Sequence, residues 1–149
     1  MIPYRPRPAL TALSAALMLA LALTGAPAAA GSSVDVRQWG SANEAASAQG
    51  GHRQRLAVTQ RGRGNLTLST QDGARNRISV GQTGCRNVAD LDQSGRRNIV
   101  GVAQMGCRND ATVTQGGSRN AVGVIQNGRG QTATATQHGQ GNVLLIIQD

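Results

Sequence analysis

Phenylalanine and lysine are absent from this 149-residue chain, and tryptophan and tyrosine occur once each. A compact enzyme of this size buries several aromatic rings and long aliphatic side chains, so an ordinary globular core is excluded. Charge is scarce, at 15% of residues, and one-sided: 15 arginines against seven acids give a net +8. That balance suits a polyanion or an anionic surface as partner. Two cysteines make no disulfide framework. Nucleophile elbows, phosphate-binding loops and paired metal-binding histidines are missing. His52 and His138 both fall in turn positions without a third ligand at useful spacing. Asp72, Asp90, Asp92 and Asp110 share no repeat phase, as a calcium-binding solenoid would require. No enzyme, cofactor or metal site is expected.

What is present begins with an address. Tyr4-Arg5-Pro6-Arg7 precedes an apolar run from Ala9 to Leu23, followed by Gly25, Pro27 and Ala28-Ala29-Ala30. Charge, apolar stretch and small-residue site form the order of a secretory signal peptide, with cleavage expected after Ala30. A membrane span needs about 20 apolar residues, more than this run offers. Residues 1–30 are thus read as a signal, 31–37 as a short N-terminal segment and 38–149 as the body. The exported chain keeps 13 arginines against seven acids.

The body follows one ruler. Gln38, Gln49, Gln60, Gln71, Gln82, Gln93, Gln104, Gln115, Gln126, Gln137 and Gln148 recur at a constant step of eleven positions. Two residues after each of the first ten stands Gly40, Gly51, Gly62, Gly73, Gly84, Gly95, Gly106, Gly117, Gly128 or Gly139. Five residues after come Asn43, Gln54, Asn65, Asn76, Asn87, Asn98, Asn109, Asn120, Gln131 and Asn142. Repeats at fixed period must be read before any local motif. The x-Gly-x-x stretch carries turn chemistry, and the five residues before the next Gln alternate with period two, as a strand does.

One face of each strand carries Asn, the seventh and ninth residues of the unit, and Gln. Those middle pairs alternate between small (Ala89/Leu91, Ala111/Val113, Ala133/Ala135) and large (Ile78/Val80, Val100/Val102, Val122/Val124). The true period is therefore two units, the step from Gln60 to Gln82. We expect an all-β solenoid of five coils, built from ten strand-turn units, with two parallel sheets facing each other across a thin core. At about 4.8 Å per coil, each buried Gln lies over a Gln and each Asn over an Asn, forming amide ladders of the kind that stabilise cross-β assemblies.

At this point Gln-x-Gly-x-x-Asn-x-Ala-x-x-x-Gln resembles the repeat of the curlin family, the subunits of curli fibres, which are bacterial extracellular functional amyloids. Gln104-Met105-Gly106-Cys107-Arg108-Asn109-Asp110-Ala111 through Gln115 is one copy, and the match runs from residue 38 to 148. The resemblance implies a secreted subunit that polymerises into cell-surface fibres for adhesion and biofilm matrix. It also implies a related curlin subunit as co-polymer and a dedicated secretion machinery. The Ser that often opens major-subunit repeats is replaced here by Asn or Gln. Even spacing and arginine content look more like the minor, nucleating type, which leaves the major or minor role open. A soluble solenoid binding ice or a polyanion is the alternative. Thr132, Thr134 and Thr136 would suit an ice face, although the outward sites stacked on them form no regular threonine array.

Further expectations attach to particular positions of the ruler. Cys85 and Cys107, two units apart, share one turn position in adjacent coils, with Cα atoms about 5 Å apart. Either a coil-to-coil disulfide or two free thiols follows. Arg53, Arg75, Arg97 and Arg119 stack along one edge, and Arg86 with Arg108 along the other, as a candidate site for extracellular DNA, polysaccharide or an anionic cell surface. Val143, Leu145 and Ile147 point outward from the last strand, an apolar seed at an open edge. Trp39 is read as an exposed turn residue, with an adhesive anchor as the other reading.

Overall fold

The computed structural model describes residues 31–149, and the expected export signal lies outside them. Eleven strands follow one another: β1 (Ser33–Ser41), β2 (Glu44–His52), β3 (Arg55–Arg63), β4 (Leu66–Ala74), β5 (Arg77–Cys85), β6 (Val88–Arg96), β7 (Ile99–Cys107), β8 (Asp110–Ser118), β9 (Ala121–Arg129), β10 (Thr132–Gln140) and β11 (Val143–Gln148). Odd strands form a six-stranded sheet in the order β1-β3-β5-β7-β9-β11, and even strands a five-stranded sheet, β10-β8-β6-β4-β2. Every pairing is parallel, with partners two units apart, as in Gln60↔Gln82 and Gln93↔Gln115. The expected two-sheet solenoid, with a coil of two units, is the architecture of the described chain.

The stack extends half a coil beyond the ten units counted from Gln38. Ser33–Gln38, most of it read as a short N-terminal segment, lies in β1 and pairs with β3 from Ser33↔Arg55 to Ser41↔Arg63. Ser32 stands where other units carry Asn, and its hydroxyl oxygen accepts the Gln54 backbone N–H at 3.1 Å.

The glycine stretch also differs from a simple turn. Paired strands run on through Gln-x-Gly-x, and the break comes only at the next two residues. Each reversal uses two residues with left-handed backbone. The repeat glycines have φ between 92° (Gly51) and 134° (Gly128), and the residue two places on has φ from 54° (Ala42) to 73° (Gly141). A Cβ on Gly95 would lie 2.0 Å from the carbonyl oxygen of Gly117 in the next coil. Close coil stacking, as well as conformation, therefore demands glycine. At Gly139 the nearest atom to such a Cβ is Asn142 Nδ2, at 3.3 Å.

Between the sheets lies a core one residue pair thick per strand. Leu56, Val58, Ile78, Val80, Val100, Val102, Val122 and Val124 from the six-stranded sheet are at most 4% exposed. They meet Ala89, Leu91, Ala111, Val113, Ala133 and Ala135, also buried, from the five-stranded sheet. Large opposite small keeps the sheets at about 10 Å without aromatic rings, and each buried Val or Leu contributes about 1.5–3 kcal/mol. No helix among the described residues is long and apolar enough to cross a membrane.

The glycine geometry sets a graded outcome. Gly95→Ala should cost about 4 kcal/mol, because strain and a backbone clash combine. Gly139→Ala should cost only the conformational share, about 1–2 kcal/mol. Guanidinium unfolding of the folded single chain measures both, and equal losses would remove the coil-to-coil clash from the account.

Candidate functional site: the amide columns and the corner arginines

Each glutamine of the ruler projects inward at the same strand position, so a parallel in-register sheet places its amide one coil from the next. In the six-stranded sheet Gln38 donates to Gln60 at 2.6 Å, Gln60 to Gln82 at 2.8 Å and Gln82 to Gln104 at 2.8 Å. Gln104 donates to Gln126 and Gln126 to Gln148, both at 2.9 Å. In the other sheet Gln49, Gln71, Gln93, Gln115 and Gln137 make the same chain at 2.8–3.1 Å. From Gln60 to Gln126 these side chains are at most 1% exposed. The second amide hydrogen of several reaches across the core, as Gln82 Nε2 does to the Leu66 carbonyl at 3.0 Å. A buried primary amide left without partners costs about 1–3 kcal/mol per group, so each column stands or falls as a unit.

The asparagines stack without forming the same ladder. Asn98 Nδ2 donates to the Ser94 carbonyl at 2.8 Å and to the Gly117 carbonyl of the next coil at 3.1 Å. Its Oδ1 accepts the backbone N–H of Asn120 at 3.0 Å. Asn43, Asn65, Asn76, Asn87, Asn109 and Asn120 hold the same pair of carbonyls, and Asn142, at the end of the stack, holds only that of His138. Only Asn65 donates its amide to another asparagine, Asn43, at 3.0 Å. The asparagine column therefore clamps the corner backbone, tying each coil's reversal to the glycine carbonyl of the next. Spacing alone could not separate this mode from the glutamine one, because both residue types recur at fixed phase.

Gln54 and Gln131 occupy asparagine slots with one methylene too many. Their amide nitrogens still reach the carbonyls of Gly50 and Asn127. Their Oε1 atoms, however, are buried without a partner.

The remaining sequence candidates lie on the surface. Cys85 and Cys107 are joined in a disulfide with Cα atoms 4.5 Å apart, across adjacent coils. Arg53, Arg75, Arg97 and Arg119 are exposed, all at the left-handed corner position with φ 56–59°. Together with Arg55 and Arg77 the first three line a groove of about 540 Å³. Trp39 is 49% exposed and carries the Arg61 guanidinium 5.0 Å above its ring. That stacking pairs neighbours across β1 and β3, a cation–π contact the spacing did not reveal.

Two parallel sheets wound from one short repeated unit and closed inside by continuous amide columns define a structural cross-β solenoid. The curlin associated repeat matches residues 55–84, 86–117 and 106–139, more than half of the sequence. The chain belongs to the curlin repeat family. No curated protein matches it.

Shortening the two misfit amides tests the clamp. Gln54→Asn should place an acceptor under the Asn76 backbone N–H, as Asn98 does for Asn120, and stabilise the fold by about 1 kcal/mol, whereas Gln131→Asn, with no described coil beyond it to donate, should gain little. An unchanged or lower guanidinium midpoint for Gln54→Asn would show that the corner carbonyls do not depend on amide length.

Proposed function

We propose that this chain is a secreted structural subunit that polymerises head-to-tail into extracellular curli-type fibres serving adhesion and biofilm matrix. The observation that carries the reading is the polarity of the glutamine columns. Every side-chain bond runs from the lower-numbered to the higher-numbered residue. Within the described residues, one end therefore offers the acceptor oxygens of Gln38 and Gln49, and the other the amides of Gln137 and Gln148. The strands at those ends, β1 and β2, then β10 and β11, each leave one edge unpaired. An unpaired edge is a template for another chain. Complementary donors and acceptors favour tail-on-head addition of the same fold, or of a related curlin subunit with the same ruler. Val143, Leu145 and Ile147, at 80%, 60% and 58% exposed, add an apolar row to the growing edge. Export through a curli-type secretion machinery and a place on the bacterial surface fit this role, whether as major or nucleating subunit.

Incubation of the purified chain lacking residues 1–30 with a cross-β dye, followed by fibre diffraction, checks the proposal. Reflections at about 4.8 Å along the fibre and at about 10 Å across it are expected. A persistently monomeric, dye-negative protein would overturn the reading.

The corner column supports a second property of the same fibre, the capture of polyanions. Arg53, Arg75, Arg97 and Arg119 set like charges about one coil apart, where they repel each other and draw anions. Replacing all four by Gln should leave fibres intact and flatten the salt dependence of duplex DNA binding, with the slope reduced by up to about 3.6. Unchanged, salt-sensitive binding would remove the column from this role.

A further inference from the structure

The charges on the two outer faces are segregated by sign. Outward residues of the five-stranded sheet, up to the repeat glycine of each strand, include Glu44, Asp72, Asp90, Asp92 and Asp110, all exposed, and no arginine. The matching positions of the six-stranded sheet include Arg37, Arg55, Arg61 and Arg77, also exposed. The one acid among its strands, Asp35, is held by Arg37 at 2.9 Å, which is the one ion pair among the described residues. The five acids and the remaining arginines of these faces lie on opposite sides of the core and cannot neutralise each other within the chain.

We infer that the acidic face of one fibre docks on the basic face of a second copy, joining curli-type fibres side by side. This rests on the fibre reading above, and it concerns how fibres meet rather than how they grow. The winding supplies the register. Consecutive strands run in opposite directions on opposite faces, so the start of β3 or β5 lies across the core from the end of β4 or β6. A second copy moved sideways without rotation therefore brings its β4 and β6 against β3 and β5 at matching levels. Gln71 Nε2 reaches the Arg55 carbonyl across the core at 3.3 Å, so Arg55 and Arg77, at the strand starts, then face Asp72, one residue beyond Gln71, and Asp92, one residue before Gln93. Both faces share one coil spacing, so the match recurs in every subunit along the fibre. A contact between unlike faces does not close on itself and adds fibre after fibre into a flat bundle. A polyanion could meet the arginines but would leave the acidic face unanswered, whereas a second copy satisfies both.

The test uses full-length fibres of the exported chain and two charge reversals at exposed positions, Arg55→Glu with Arg77→Glu and Asp72→Arg with Asp92→Arg. Dye binding reports fibre formation, and electron microscopy with turbidity reports bundling. Wild-type fibres are expected to bundle at about 10 mM salt and to separate at about 0.5 M, where charges are screened within a few ångströms. Each reversed variant alone is expected to form dye-positive fibres that stay single. Mixing the two sets of preformed variant fibres should restore bundles, because each then offers the face the other has lost. Bundling of either variant alone like wild type, or failure of the mixture, overturns the proposal. So does wild-type bundling that appears only on addition of DNA, which would make the basic face a polyanion site. Absence of dye-positive wild-type fibres would instead count against the fibre reading itself.

Discussion

The rest of this structure depends on one constraint: a buried primary amide must find its partners, and along a parallel sheet it finds them one coil away. Asparagine and glutamine recur in every unit, and from Gln54 to Gln126 every one of them at the repeat positions is buried. In an apolar interior each would be a liability. Stacked in register, each glutamine oxygen accepts from one neighbouring coil while its amide donates to the other, and each asparagine meets the next coil with both its oxygen and its amide. That requirement holds the two-unit period more strictly than the apolar pairs do. Val for Ile or Ala for Leu changes packing locally, whereas a one-residue slip would break a whole column.

The columns divide the labour. Glutamine, long enough to reach its counterpart directly, ties coil to coil through side chains. Asparagine, shorter and placed at the corner, ties coil to coil through backbone. The glycine carbonyl that asparagine clamps approaches the neighbouring glycine too closely for any Cβ. Gln, Gly and Asn at spacings of two and three are thus parts of a single joint. Threonine joins where the core is polar: Thr67 accepts from Gln60 at 3.2 Å and donates to Gln82 at 3.1 Å.

Much of this was legible because the period never falters. Phase told inside from outside, the alternation of small and large pairs told one sheet from the other, and the two-unit step placed Cys85 beside Cys107. Three features stayed hidden for physical reasons. β1 escaped because Pro27 and Ala29 stand where a glutamine and a glycine would announce the unit, and Ser32 replaces its asparagine. The length of the strands escaped because glycine ordinarily breaks a ladder, while here its left-handed backbone continues one. The clamp escaped because spacing reports where an amide sits and not which groups its hydrogens find.

The corner position shows what the surface is free to do once the interior is settled. Gly64, Gly130 and Gly141 occupy it with φ of 64°, 70° and 73°, so glycine fits without penalty. Six other corners carry arginine at φ 55–62°. For a residue with a Cβ this conformation costs about 1–2 kcal/mol. Stacking like charges one coil apart adds repulsion. Neither cost is offset within the isolated fold, since the corner guanidiniums form no ion pair among the described residues. The interior amides and glycines supply the stability that tolerates these corners. On the proposed fibre the arginines are thus left to act outward, keeping bare chains apart before assembly and offering the aligned columns to anions.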